Sequence, residues 1–436
     1  MNPHTSASAP GRTFVFSREY PPTTVGGTST VARNLSTGLR AEGHDVTVIT
    51  TLPGTPDAER ENTDEVLDGV RVHRVGTSSV YHTDTGLSDQ SIRVHRRLYE
   101  AAEQLAAQAA PPDVVIMPDL FCYPEAAMFA RRHHVPLINI LLQDFRAITP
   151  YDRDGHRVTS GVSAEREHLL DLERKAVHRS DHTVFISRAL ADATTGYYPG
   201  NTAPSGVVHL GVDPAEIAAV EADPLPWSRR RRLPGTGANG PLLVACGRLV
   251  PVKGFDILLT ALARLGSVHR PGASQEEPHL VLVGVGPEEP HLRRLAADLG
   301  ITDRISFLGD IPRRDALGWM SVADVAVVPS LWESFCYVCA EMMAFGRPVV
   351  SAAVDSLREL VPSEEYGYPV RVDGPSGQRT LSPDALASSL RQALAHPAEA
   401  RRRGEAARRR IFGHFTNTTF AAGISALTRD LTEGAR

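Results

Sequence analysis

The chain has no apolar run of the length a membrane-spanning helix requires, and its opening residues, MNPHTSASAPGRTFVFS, lack the basic and apolar blocks of a secretory leader. A cytoplasmic protein is expected, without membrane association. Cysteine is scarce: Cys122, Cys246, Cys336 and Cys339 are the four in 436 residues, too few for a disulfide scaffold and suited to a reducing compartment. A basic excess is missing too. The formal net charge of −5 argues against a nucleic-acid partner. The arginine runs at 229–232, 401–403 and 408–410 lack interleaved aromatic residues that could stack on bases, and Ala and Glu among the last two suit a solvated helix face. There is no GxxxxGK[ST] phosphate loop, and LVGVGPEE lacks the third glycine of a dinucleotide fingerprint. ATP hydrolysis and nicotinamide chemistry recede accordingly.

What is present is an ordinary globular balance, 42% hydrophobic and 22% charged, in a chain long enough for two or three domains. Short β-branched runs alternate with amphipathic stretches almost throughout, the pattern of parallel sheets covered by helices on both faces. The first block holds TFVFS, DVTVIT, VRVHRV, DVVIMP, PLINIL, HTVFIS and GVVHLG; the second holds PLLVACG, HLVLVGVG, ISFLG, VAVVP, PVVSA and YPVRV. Between them lies EADPLPWSRRRRLPGTGANG, whose prolines and glycines mark a linker. The expected division is a loose tail over 1–11, a first domain over 12–215, a linker over 216–240 and a second domain over 241–412. The remainder, 413–436, is a terminal helix. Ligands of doubly wound sheets bind beyond the carboxyl ends of the strands, so the loops that follow the strands are where ligand contacts are expected.

In VACGRLVPVKGFDILLTAL, Arg248 and Lys253 occupy a strand-to-helix loop. Two cations and the amides of a helix start would suit a di-anionic leaving group, although both are also ordinary solvated loop charges. In VPSLWESFCYVCAEMMAFGRPVV, Glu333 lies just ahead of a helix and Glu341 within it, two turns further on. A carboxylate can accept two hydroxyl donors of a vicinal diol. Helix capping and solvent exposure are the plainer readings, yet Glu341 sits among Cys, Ala and Met, where an unpaired carboxylate is costly. Gly26 and Gly27 in the first strand-to-helix loop allow close backbone approach to a ligand. CYVC has redox or zinc half-site spacing without a second ligand pair, and Asp152 and Asp154 form a DxD string in a polar loop that a surface turn explains better.

Taken in order, these segments resemble a family-4 retaining glycosyltransferase of the GT-B fold, glycosyltransferase group 1. The resemblance runs almost end to end through GHDVTVIT, DGVRVHRV, DVVIMPD, SDHTVFIS, GRLVPVKGFDILLTAL, LVLVGVGPEEPHLRRLAADLGITDRISFLG, ADVAVVPSLWESF, the two glutamates, AFGRPVVSA and EAARRRI. It implies an α/β fold of two Rossmann-like, doubly wound parallel-sheet domains facing a central cleft, with the terminal helix crossing back to the first domain. The partners it implies are a nucleotide sugar and a hydroxylated acceptor, with no metal and no other cofactor. Arg248 and Lys253 match the pair that neutralises the diphosphate. Glu341 matches the carboxylate on the ribose, and Glu333 the one that addresses the sugar, helped by amides of Phe335, Cys336 and Tyr337. Gly26 and Gly27 match the loop near diphosphate and acceptor, and Ile311 the backbone that meets the base.

Four positions depart from that pattern. Leu142, Gln143 and Asp144 stand where the family often has His, making Gln143 the substitute candidate for a catalytic role. Cys336 replaces a Gly, Asp355-Ser356 replaces a Gly-Gly, and Leu210 replaces an Asn. These changes leave the nucleotide site matched and alter the donor-sugar side. The expected activity is transfer of a hexose or N-acetylhexosamine, from UDP-glucose or UDP-N-acetylglucosamine, to a small acceptor. Richness in Ala, Arg and Pro resembles high-GC actinobacterial proteins and suggests an aminocyclitol on the way to an aminoglycoside. The alternatives are a peripheral glycolipid transferase, using SIRVHRRLYEAAEQLAAQAA as its surface helix, and a non-catalytic sugar-nucleotide binder. The oligomeric state is left open.

Overall fold

The computed structural model describes residues 11–23, 27–54, 60–77, 89–148, 164–224, 240–266, 277–375 and 378–434. The chain divides into two compact units, one holding Met1–Phe145, Gly161–Leu210 and Asn417–Arg436, the other built on Gly211–Thr416. Asp152 and Asp154, Gly26, and most of the proposed tail and linker lie outside the described residues.

The first unit runs β1 (Arg12–Phe16), α1 (Gly27–Ala41), β2 (Asp45–Pro53), β3 (Thr63–Leu67), β4 (Val70–Thr77), α2 (Asp89–Gln108), β5 (Val114–Met117), α3 (Tyr123–His133), β6 (Leu137–Leu141), α4 (Phe145–Ile148, of which only Phe145 is counted in this unit), α5 (Ala164–Arg179), β7 (His182–Phe185), α6 (Arg188–Tyr197) and β8 (Ser205–Val207). The strands make one sheet in the order β3-β4-β2-β1-β5-β6-β7-β8. All pairs are parallel except β3 with β4. Strand order reverses between β1 and β5, with Thr13 in register with Val46 on one side and Val114 on the other. Central strands of a parallel sheet are covered on both faces and so read as continuous apolar runs. Phe14, Val15 and Phe16 are accordingly all buried, and the Phe129 ring of α3 lies 5.7 Å from that of Phe14. β3 was not among the expected strands. It is a polar edge strand, TDEVL, exposed over most of its length, and carries no apolar signal.

Helix α1 follows its cues: Val31, Leu35 and Leu39 form its buried stripe, and Gly43 and His44 donate back to the carbonyls of Arg40 and Leu39 to close it. In α2 the stripe of Val94, Leu98, Ala101, Ala102 and Leu105 is buried in the core. The segment offered above as a membrane-surface helix therefore spends its apolar face inside the unit.

The second unit runs α7 (Pro214–Ala222), β9 (Leu242–Cys246), α8 (Phe255–Leu265), β10 (His279–Val283), α9 (Glu289–Asp298), β11 (Ile305–Gly309), α10 (Arg313–Ser321), β12 (Val325–Val328), α11 (Tyr337–Ala344), β13 (Val349–Ala352), α12 (Leu357–Leu360), β14 (Tyr368–Val370), an antiparallel pair β15 (Val372–Asp373) and β16 (Thr380–Leu381), α13 (Pro383–Ala395) and α14 (Pro397–His414). Six strands form a wholly parallel sheet, β11-β10-β9-β12-β13-β14, reversing between β9 and β12. Part of the stretch read as linker is in fact α7 and belongs to this unit. The Asp213 side chain caps it through the Ala215 amide at 2.9 Å, and Ile217 and Val220 are buried. The last helix, α15 (Asn417–Gly434), belongs to the first unit and packs on α1, where Asn34 and Asn417 share a 3.2 Å hydrogen bond.

Candidate functional site

In the second unit strand order reverses between β9 and β12, and sheets of this kind place ligands beyond the carboxyl ends of the strands at such a point. Arg248 and Lys253 leave β9, and Glu333 leaves β12. The backbone ties these loops down. Gly247 and Leu249 donate to the carbonyls of Val283 and Val285, each at 2.9 Å, and Glu288 donates to Leu249 at 3.0 Å. That close approach needs Gly284: a Cβ there would stand 2.0 Å from the Gly247 carbonyl oxygen. The glycines of LVGVG therefore seat the Arg248 loop rather than a dinucleotide. Lys253 ends a 3₁₀ turn, Pro251–Lys253, and the Leu331 amide bonds the Val252 carbonyl at 2.8 Å. The two exit loops are thus stitched together.

Across that stitch Lys253 Nζ donates to Glu333 Oε1 at 2.6 Å. Burial works against the Lys253 ammonium, but Glu333, with Cys336 beside it, outweighs burial and holds its pKa above the ordinary lysine value. Arg248 is exposed in the same exit loop. On α11, Glu341 is 2% exposed. Its partner is one that the motifs did not reveal: Arg313, the first residue of α10, donates to Glu341 Oε1 at 2.7 Å and grips both oxygens of Glu216, each at 2.7 Å. Burial pushes the Glu341 carboxyl up, and Arg313 partly pulls it back. The neighbouring Cys246 thiol is pushed up by burial and by Glu341.

Cys336 precedes α11 at φ 72°, so a non-glycine residue holds the left-handed backbone where the family pattern has Gly. The Phe335 side chain is buried against Tyr337, ring centroids 5.2 Å apart, leaving its main chain as the part that a ligand could use. Burial also raises the Cys336 and Cys339 thiols, the latter within 3.8 Å of Met343 Sδ, which favours a packing role for CYVC. Ile311 lies half-buried, two residues before Arg313. Asp355, where the family pattern has Gly, has φ 37° and pairs with Arg379. Asp355 stood out in the sequence only as a departure from the family pattern, and Arg379 did not stand out at all.

Gln143 and Gly27 belong to the first unit. Gly27 is the first residue of α1, with nothing within 4 Å of a built Cβ. Gln143 is half-buried in the bend after β6. Beside it, Asp144 accepts from the Tyr197 hydroxyl at 3.1 Å, and the Phe145 amide donates to Glu173 at 3.2 Å. At this unit's own reversal the Arg18 amide donates to Asp119 at 3.0 Å, and the Arg18 guanidinium stacks 4.0 Å over Phe121. His95 pairs with buried Glu125 at 2.7 Å. Burial opposes the imidazolium, but Glu125 and Asp119 win and raise the His95 pKa. Among the described residues no cluster of three or more His, Cys, Asp or Glu could hold a metal ion.

The glycosyl transferases group 1 family matches residues 230–410, and the glycosyl transferase 4-like domain family matches residues 26–211. Glycogen synthase of Mycobacterium tuberculosis is 29% identical over 98% of this chain and 96% of its own length. D-inositol 3-phosphate glycosyltransferase of Acidothermus cellulolyticus is 39% identical over 39% of this chain and 40% of its own. Among solved structures, sucrose-phosphate synthase from Thermosynechococcus elongatus has a TM-score of 0.71 at 20% identity, over 97% of this chain and 99% of that one. Anabaena HepE in complex with UDP and glucose has a TM-score of 0.67 at 17% identity, over 96% and 100%. With one family match on each unit, a relative aligned from end to end and the same two-sheet fold, the chain belongs to the group 1 glycosyltransferases of the GT-B fold.

Proposed function

We propose that this glycosyltransferase moves a hexose or N-acetylhexosamine, from UDP-glucose or UDP-N-acetylglucosamine, to a hydroxyl of a small cyclitol-like acceptor with retention of configuration and without a metal. The observation that carries the reading is the meeting of Lys253 with Glu333 across the β9 and β12 exit loops, the first of which also carries Arg248. Fixed cations aimed at a departing diphosphate stabilise charge where it develops, which is the main catalytic task in glycosyl transfer from a nucleotide. Arg248 and Lys253 supply the positive charge that a divalent ion would otherwise supply. Glu341, paired with Arg313 at 2.7 Å, suits the two hydroxyls of a ribose. Glu333, with the amides of Phe335, Cys336 and Tyr337, suits the sugar, and Ile311 the base. Gly27, Gln143 and the outlying Gly26 are assigned to the acceptor side.

Relatives named for D-inositol 3-phosphate support the cyclitol choice, and an aminocyclitol is the acceptor we assign. The end-to-end match to a glycogen synthase supports a second reading, an α-glucan acceptor. The test is a thermal-shift screen and a nucleotide-release assay across UDP-, GDP-, ADP- and dTDP-sugars, with inositols, aminocyclitols and glucan oligomers as acceptors. A ligand that binds the native state raises its apparent stability. Stabilisation by UDP-sugars and faster UDP release with an aminocyclitol are expected. Release accelerated only by glucan selects the second reading. Absence of any nucleotide effect overturns both.

A further inference from the structure

We propose that Arg379 and Asp355 are positioning residues for Glu333, locking the loop that carries this glutamate and thereby setting how the donor sugar is met. The inference rests on the assignment of Glu333 to the sugar. Its own evidence is a network that closes on the Glu333 main chain. The Glu333 amide donates to Asp355 Oδ2 at 3.4 Å, and Ser356 Oγ donates to the Glu333 carbonyl at 3.1 Å. Both backbone groups of one residue are therefore held from positions 355 and 356. Arg379, immediately before β16, then binds Asp355 through both guanidinium nitrogens, Nη2 to Oδ1 at 2.7 Å and Nη1 to Oδ2. The same Nη1 also donates to the Leu331 carbonyl at 2.9 Å. One guanidinium thus spans the start of the Glu333 loop and its clamp.

A bidentate fork restrains its carboxylate in angle as well as in distance. Asp355 needs that restraint, because its φ of 37° is a conformation that persists only where the surroundings over-determine it. The side chains of Arg379 and Asp355 are only 16% and 18% exposed, so solvent screens the pair little. With Lys253 at its tip and this clamp at its main chain, Glu333 is fixed at both ends. The loop that a glycine pair would leave free is instead tied to a hairpin.

The test uses the full chain and two probes, UDP and UDP-glucose, titrated by calorimetry into wild type, R379A, R379K, E333Q and the R379A/E333Q double variant. UDP lacks the sugar, so the ratio of the two dissociation constants isolates the sugar contact. R379A is expected to shift that ratio about tenfold against UDP-glucose, with UDP itself within about twofold. R379K should recover part of the loss, since an ammonium keeps the charge but not the fork. If Arg379 acts through Glu333, the double variant is no worse than E333Q alone. Multiplicative losses, an inert R379A, or equal weakening of UDP and UDP-glucose overturn the proposal. D355N, similar in size, is expected to follow the same order and serves if R379A does not fold. An E333Q variant that leaves the ratio unchanged removes the sugar assignment itself. An effect of E333Q with an inert R379A removes only the clamp.

Discussion

Glu341 is a carboxylate held against its surroundings by one guanidinium. Cys339, Ala340, Met342 and Met343 around it are fully buried, and burial alone drives its carboxyl upward. The charged groups that face it are Arg313, which lowers its pKa, and Glu216, which raises it; the Cys246 thiol is its other titratable neighbour. Removing Arg313 leaves burial unopposed, so in R313M the carboxyl pKa rises further and the group offers less to the ribose hydroxyls proposed for it. Between pH 6 and pH 9 R313M should bind UDP more weakly than wild type, with a loss that eases as the pH rises, and R313K should recover part of it; E341Q should bind about tenfold more weakly at every pH. Calorimetry across that range decides, and pH-independent loss in R313M would count against the electrostatic role. Lys253 belongs to the same scale. K253A should lower turnover about a hundredfold while donor affinity changes only a few-fold, because in the role proposed for it the charge matters most as the diphosphate departs; unaltered turnover in a nucleotide-release assay removes the leaving-group role. The two glutamates were visible in the sequence because a helix and its entry loop fix their spacing. Arg313 and Arg379 were not, since they meet Glu341 and Asp355 from 28 and 24 positions away, beyond any local period.

At the scale of elements, the buried parallel strands were legible because burial on two faces demands unbroken apolar runs, as LLVAC and HLVLV show. Polar TDEVL and the two-residue strands β15 and β16 were not, having no such demand on them, and the β16 hairpin is what delivers Arg379. The glycines of LVGVG were read only as an incomplete fingerprint; their use appears when β10 and the exit of β9 are laid side by side. Gly284 has φ 132°, and a Cβ on it would stand 2.0 Å from the oxygen and 2.9 Å from the carbon of the Gly247 carbonyl. Backbone cannot swing aside as a side chain can. G284A should therefore destabilise the second unit by at least about 2 kcal/mol in urea unfolding, with a fall in turnover at temperatures where it remains folded, because the displaced loop carries Arg248. Wild-type stability in this variant would mean that the two loops are not held in the contact described.

For the molecule as a whole, each unit carries a buried imidazole that the fold keeps neutral, and together they tie stability to pH. In the first unit His44 lies between Thr13 and Ser425, joining the central strand to the terminal helix. Burial, with Arg429 nearby, lowers its pKa. In the second unit His279 opens β10 against Ser306 at 2.8 Å. Burial and Arg304 push it from 6.5 down to about 4. Because both folded-state values lie below the unfolded one, the unfolded chain takes up protons first as the pH falls through about 6.5, and the native state loses ground until its own imidazoles protonate. For His279 the window runs from about 6.5 to about 4, and the loss reaches up to about 3 kcal/mol at its lower end. Denaturant unfolding at pH 7.5, 6, 5 and 4.5 should show stability declining over that interval in wild type. H279Q, which keeps a polar partner for Ser306 but cannot titrate, should decline less steeply. Equal slopes for the two proteins would mean that carboxylates, rather than this imidazole, carry the acid sensitivity of the second unit.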